Sequence, residues 1–206
     1  MTLWFLARAA GFVALLTATV TVALGALGSS ARPTGGRVDP AHLDRRVLAQ
    51  LVHRSAAVLT LAMLALHAVL LVVDHYVAVS WSGALVPFTA GYRAFALGLG
   101  TLALYGFVVA AATGALRGRL VSLSPRATRA WRAVHLSAYA AWVLAIGHGL
   151  LAGTDTGQRW AVALYAGCAG LVAAAAAGRV FAVRRHGRST LPQARRWGTE
   201  TAGAIR

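Results

Sequence analysis

The sequence predicts an all-α integral membrane protein, a five-helix transmembrane bundle, on three observations. Of its 206 residues 58% are hydrophobic and only 12% charged, with a mean hydropathy of +0.65, a composition foreign to ordinary soluble domains. Marking the charges leaves five uncharged windows, residues 9–31, 55–73, 94–116, 133–154 and 160–178. All 20 basic side chains are arginine, and they crowd into alternate connections.

A helix of about 20 apolar residues crosses the roughly 30 Å hydrocarbon layer, and each window has about that length. The first, with Arg8 ahead of it and small residues at 26–31, has some features of an export signal. Its 23 residues are long for the apolar part of such a signal, so it is read as a retained span. The stretch 75–92 is also uncharged, but Ser80, Ser82, Gly83, Pro87, Thr89 and Gly91 interrupt any continuous apolar face. It is read as an interfacial loop.

The arginines set the orientation. Arg32, Arg37, Arg45 and Arg46 lie in 29–46, Arg117, Arg119, Arg126, Arg129 and Arg132 in 117–132, and seven more follow from Arg179 onward. The opposite connections hold only Arg8, Arg93 and Arg159. Positive charge concentrates on the cytoplasmic side, which predicts an outside N-terminus, a cytoplasmic C-terminus and a multi-pass protein of the cell membrane. The expected organisation is a first helix at 1–31, an Arg-rich linker at 32–46, a four-helix core at 47–181 and an Arg-rich tail at 182–206. The net charge of +15 then reflects topology and contact with anionic lipid, with no nucleic acid as partner.

Four histidines interrupt this apolar chain. His53 and His67 are fourteen positions apart, His135 and His148 thirteen. An ionisable side chain in hydrocarbon is costly and marks a functional site by default. The second and fourth windows run in the same direction, so His53 and His135 fall near the cytoplasmic end and His67 and His148 about 20 Å further out at about 1.5 Å per residue. An imidazole nitrogen is a good ligand for haem iron, and two leave the metal six-coordinate. The expected metal ligands are therefore His53 with His135 at an inner haem b and His67 with His148 at an outer one. The other reading of an intramembrane histidine, a donor in helix packing, makes the chain a haem-free transporter, proton-conducting protein or assembly scaffold.

Fourteen helical steps return to within about 40° of the starting direction, whereas thirteen leave His148 about 140° from His135. The fourth span is therefore expected either to be locally rewound, with Gly147 and Gly149 flanking His148 as places where distortion is cheap, or to present its two rings on different sides. Haem propionates are anions, so arginines at matching depth are candidate cofactor-binding partners. Arg54 and Arg132 suit the inner site and Arg93 the outer; each also suits plain interfacial anchoring. Trp142 lies between the two depths, with core or lipid packing as its simpler role. Gly98, Gly100, Gly106, Ala110, Gly114, Gly167 and Gly170 are read as close helix contacts. His42, His75 and His186 fall outside the spans, and Asp74 and Asp155 are the acidic residues on the exterior side.

The pattern resembles the ferric reductase-like transmembrane family, which includes the membrane part of NADPH oxidases. There one helix carries His-x13-His and the next but one His-x12-His, as His53/His67 and His135/His148 do. Val86-Pro87-Phe88, Gly91-Tyr92-Arg93 and the run from His148 to Asp155 are similar to bacterial members, and the likeness covers residues 45–180. Larger members continue into flavin and NADPH domains, which this chain does not carry, and many have a further first helix. The resemblance implies haem-mediated electron transfer across a membrane, the haem component of an oxidoreductase. The donor is then a separate flavoprotein or a quinol, and the acceptor ferric iron, oxygen or an exported redox partner. No residue is expected to be catalytic in its own right. Cys168 is the lone cysteine, and no C-x-x-C-H exists for covalent haem attachment. There is no Gly-rich phosphate loop, no FAD or NADPH site, and no recognisable Ser/His/Asp set.

Overall fold

The computed structural model describes residues 2–28, 40–74, 77 and 79–203. Helix makes up 87% of it, and no strand occurs among the described residues. In chain order the elements are α1 (Thr2–Gly28), α2 (Pro40–Val73), α3 (Trp81–Leu85), α4 (Ala94–Ala115), α5 (Arg117–Leu123), α6 (Pro125–His135), α7 (Ser137–Ala152) and α8 (Arg159–Gly203). Five stretches are long and apolar enough to cross a membrane: α1, Leu43–Val73 of α2, α4, the α6–α7 rod Pro125–Ala152, and Arg159–Arg184 of α8.

α1 buries Ala7, Ala10, Ala14, Ala18 and Ala26 at intervals of three, four or eight, a stripe of small side chains that lets a neighbouring backbone come close. Against it lies α2, antiparallel, with Gly11 beside His67 and Gly25 beside His53. α4 and the α6–α7 rod form a second antiparallel pair, with Gly100 beside His148 and Gly114 beside His135. α8 runs along α1 in the same direction, since Phe12 meets Trp160 and Tyr165 at one end and Leu27 approaches Gly178 at the other. Where these helices converge, Leu15, Ala18, Val22, Ala103, Phe107, Ala141, Trp142, Ala161, Tyr165, Cys168 and Val172 pack into one apolar cluster.

Three local features differ from or refine the sequence reading. The first helix starts at Thr2 rather than at residue 9, so Arg8 is part of it. The loop at 75–92 contains the short α3, capped by Ser80, whose hydroxyl accepts from the Gly83 amide at 3.1 Å. That loop is pinned to α4: Thr101 Oγ1 donates to the Ala84 carbonyl at 2.9 Å, Tyr105 donates to the Leu85 carbonyl, and the Phe88 ring occupies the space a side chain at Gly98 would need.

The fourth span is indeed not one regular helix. α6 begins at Ser124, whose side chain accepts from the Ala127 amide at 3.1 Å with Pro125 in the first turn, and it ends on His135. Leu136 interrupts it, and the tighter bond from the Tyr139 amide to the Leu136 carbonyl restarts the rod as α7. The rewinding expected from the thirteen-residue spacing is therefore present, but at Leu136 and not at Gly147 or Gly149. α8 continues past residue 181 as helix, without a break at the expected start of the tail. Arg32, Arg37, His75 and the side chains of His42 and His186 lie outside the described residues.

Candidate paired-histidine site

The fold brings the four histidines together in two pairs. The ring centroids of His53 and His135 lie 6.4 Å apart with planes at 58°, and those of His67 and His148 lie 6.2 Å apart at 77°. All four rings are half-buried. At about 1.5 Å per residue the fourteen steps along α2 separate the pairs by about 21 Å, and the apolar cluster around Trp142 fills the interval.

Each ring is held in the same way. The Nδ1 of His53 lies 2.9 Å from the Thr21 carbonyl, that of His67 2.7 Å from Ala7, that of His135 2.9 Å from Ala110 and that of His148 2.8 Å from Ala96. A carbonyl oxygen only accepts, so each Nδ1 carries the proton and donates. In a neutral ring that leaves Nε2 as the nitrogen with the free lone pair.

A glycine follows each of those carbonyls by four positions: Gly25 after Thr21, Gly11 after Ala7, Gly114 after Ala110 and Gly100 after Ala96. In a helix the Cα–Cβ bond tilts toward the N-terminus, so the side chain at i+4 overhangs the carbonyl of residue i. Glycine leaves that carbonyl open to a second donor besides its own helical N–H. A Cβ would stand 3.3 Å from the His53 ring at Gly25, 3.1 Å from His67 at Gly11, 3.2 Å from His135 at Gly114 and 2.8 Å from His148 at Gly100. Gly11 and Gly25 are fourteen apart, as are Gly100 and Gly114. The hairpins α1–α2 and α4–α7 thus repeat one device, and the break at Leu136 lets a thirteen-residue histidine spacing meet a fourteen-residue glycine spacing.

The surroundings of the pairs differ. His135 stacks on Trp131 at 5.5 Å and 19°, Arg117 lies 5.4 Å over the other ring system of this stack, and Trp131 Nε1 donates to the Thr113 carbonyl at 2.9 Å. His67 and His148 line a cavity with Arg8, Tyr92, Asp155 and Tyr165, in which Arg8 and Asp155 form an ion pair. Midway, Trp142 is only 8% exposed and its Nε1 donates to Thr19 Oγ1 at 2.9 Å.

Of the arginines the sequence singled out, Arg54 and Arg132 are exposed near His53 and His135 in the chain. Arg93 caps α4 in a left-handed conformation, φ 43°, and its Nη1 donates to the Leu151 and Ala152 carbonyls at 2.9 and 3.3 Å, anchoring the end of α7. Sequence reasoning passed over Arg8, Trp131, Gly11 and Gly25, and assigned Gly100 and Gly114 to helix contact alone. A usable signal existed in the two Gly-x13-Gly spacings, each on the span preceding a histidine span. α1 supplies two of the four carbonyls, so the helices that hold the rings are α1, α2, α4 and α6–α7. Compared with known proteins, the chain matches no family model, no curated protein and no solved structure.

Proposed function

We propose that the chain is a di-haem b membrane protein that carries electrons across the cell membrane, with His53 and His135 ligating the inner haem and His67 and His148 the outer. One observation carries this reading: all four imidazoles have Nδ1 engaged by a carbonyl, and they lie in two pairs with ring centroids 6.4 and 6.2 Å apart. The spacing supports it. A metal bonded by two opposed imidazoles, each nitrogen about 2 Å from it and about 1.2 Å from its ring centre, would put the centroids about 6.4 Å apart, against 6.4 and 6.2 Å here.

The ligand count supports a porphyrin over a bare cation. Among the described residues no three His, Cys, Asp or Glu side chains converge, so a free ion would have two protein ligands where four to six are usual. A haem would bring further nitrogen ligands of its own and, when bound, would supply a one-electron ferric–ferrous couple. The chain's part would be to hold each of the four imidazoles in the tautomer with Nδ1 protonated, exclude water with the cluster around Trp142, and keep the pairs at set depths. Hydrogen bonds from the distal ring nitrogen orient such ligands and raise their basicity.

Arginine distribution supports a cytoplasmic His53/His135 end and an exterior His67/His148 end, with a flavoprotein or quinol as donor and ferric iron, oxygen or an exported oxidoreductase as acceptor. Proteoliposomes with an entrapped reductant and an impermeant ferric chelate outside test the function. Reduction of the chelate should depend on the protein and be abolished in His148→Ala; equal rates with and without protein would refute the proposal.

A further inference from the structure

We infer that Arg8, held in place by Asp155, is the carboxylate clamp of the outer site, gripping the acidic edge of the macrocycle that His67 and His148 would ligate. The inference rests on the haem reading and adds to it which charges hold and tune the outer group. Arg8 directly follows Ala7, whose carbonyl holds His67, so its depth matches that ring. Among the described residues lining the cavity that contains His67 and His148, Arg8 is the single arginine.

Arg93, at a similar depth, spends its Nη1 on the Leu151 and Ala152 carbonyls. The Arg8 and Asp155 side chains are 24% and 17% exposed, and shielding two charges from water costs more than an ordinary surface pair returns. An anionic ligand edge gives that cost a purpose. A guanidinium has five donors, and the contact with Asp155 is made through Nη2, leaving donors in the geometry that suits a second carboxylate.

The clamp also fixes the sign of two opposite effects. Arg8 offsets Asp155, so the pair adds no net charge beside the outer group. Without Arg8, uncompensated carboxylates favour the more positive ferric state and lower the midpoint potential. Without the Asp155 charge, Arg8 favours the ferrous state and raises it.

The test is an optical potentiometric titration of the purified, haem-loaded full chain, with the outer wave identified as the one lost in His148→Ala. Arg8→Gln should shift the outer midpoint down and Asp155→Asn should shift it up, with the inner wave in place. Should Arg8→Gln fail to fold, the near-isosteric Asp155→Asn carries the test alone. An unmoved outer wave, a shift of both variants in one direction, or equal shifts of both waves would overturn the clamp; lowered thermal stability with unmoved potentials would make the pair a structural ion pair only. A wild-type chain that binds no haem overturns the proposed function together with this inference, whereas a loaded chain with unmoved potentials overturns the clamp alone.

Discussion

Gly100→Ala is the smallest perturbation that separates a ligand site from an ordinary helix contact. The new Cβ would stand 2.8 Å from His148 Nδ1, 2.9 Å from Cε1 and 3.0 Å from Cγ, closer than real Cβ contacts allow. The ring has little room to retreat, because Nδ1 is tied to the Ala96 carbonyl at 2.8 Å and, under the proposed ligation, Nε2 would bind the metal on the other side. Moving the ring breaks the Nδ1 bond, and loss of such an orienting bond lowers metal affinity about 10- to 100-fold, or about 1.4 to 2.7 kcal/mol. Helix propensity acts the opposite way, since alanine is favoured over glycine by about 1 kcal/mol. The global melting temperature is therefore a poor readout and the haem signal a good one. Haem content and redox difference spectra of the purified variant should show selective loss or weakening of the outer haem, while Gly167→Ala, at a position where a Cβ meets nothing within 4 Å, should keep both. Full retention of both haems with unchanged spectra in Gly100→Ala would refute the reasoning.

Alanine at Gly11, Gly114 and Gly25, where a Cβ would stand 3.1, 3.2 and 3.3 Å from the ring, should follow with smaller losses in that order, Gly11 acting on the outer haem and the other two on the inner, as read by the same spectra. His67→Ala or His148→Ala should remove the outer haem, and His53→Ala or His135→Ala the inner, measured as loss of one of two redox waves. Trp142→Phe removes the donor to Thr19 Oγ1 and should cost about 1 kcal/mol, read as a lower thermal midpoint in detergent. Ser124→Ala deletes the cap accepted from the Ala127 amide and should also cost about 1 kcal/mol; an unchanged midpoint would show that α6 is held by its neighbours instead.

The spans were legible because charge and hydropathy vary on the length scale of a membrane, and a five-fold alternation survives any uncertainty at the ends. The ends themselves were not. Cutting windows at charges put Arg8 outside α1, because a charge that finds a partner at Asp155 does not end a helix. The mismatch between thirteen residues and the helical repeat allows either a rewound fourth span or rings on different sides; the structure takes the first course, at a place the mismatch does not give. The glycines flanking His148 are the weak points the sequence offers, whereas the break sits at Leu136, directly after the His135 ring. The pairing of His67 with Ala7 and of His148 with Ala96 spans 60 and 52 residues, and no local propensity encodes such contacts. Gly11 and Gly25 acquire meaning only when α1 is laid antiparallel on α2.

Haem stoichiometry of the purified chain tests the central claim most directly. After expression with ample haem, pigment per polypeptide and the reduced-minus-oxidised spectrum should give two b-type haems with six-coordinate, two-imidazole iron. A chain that is folded, as judged by its helical circular dichroism, and carries no haem would contradict the account.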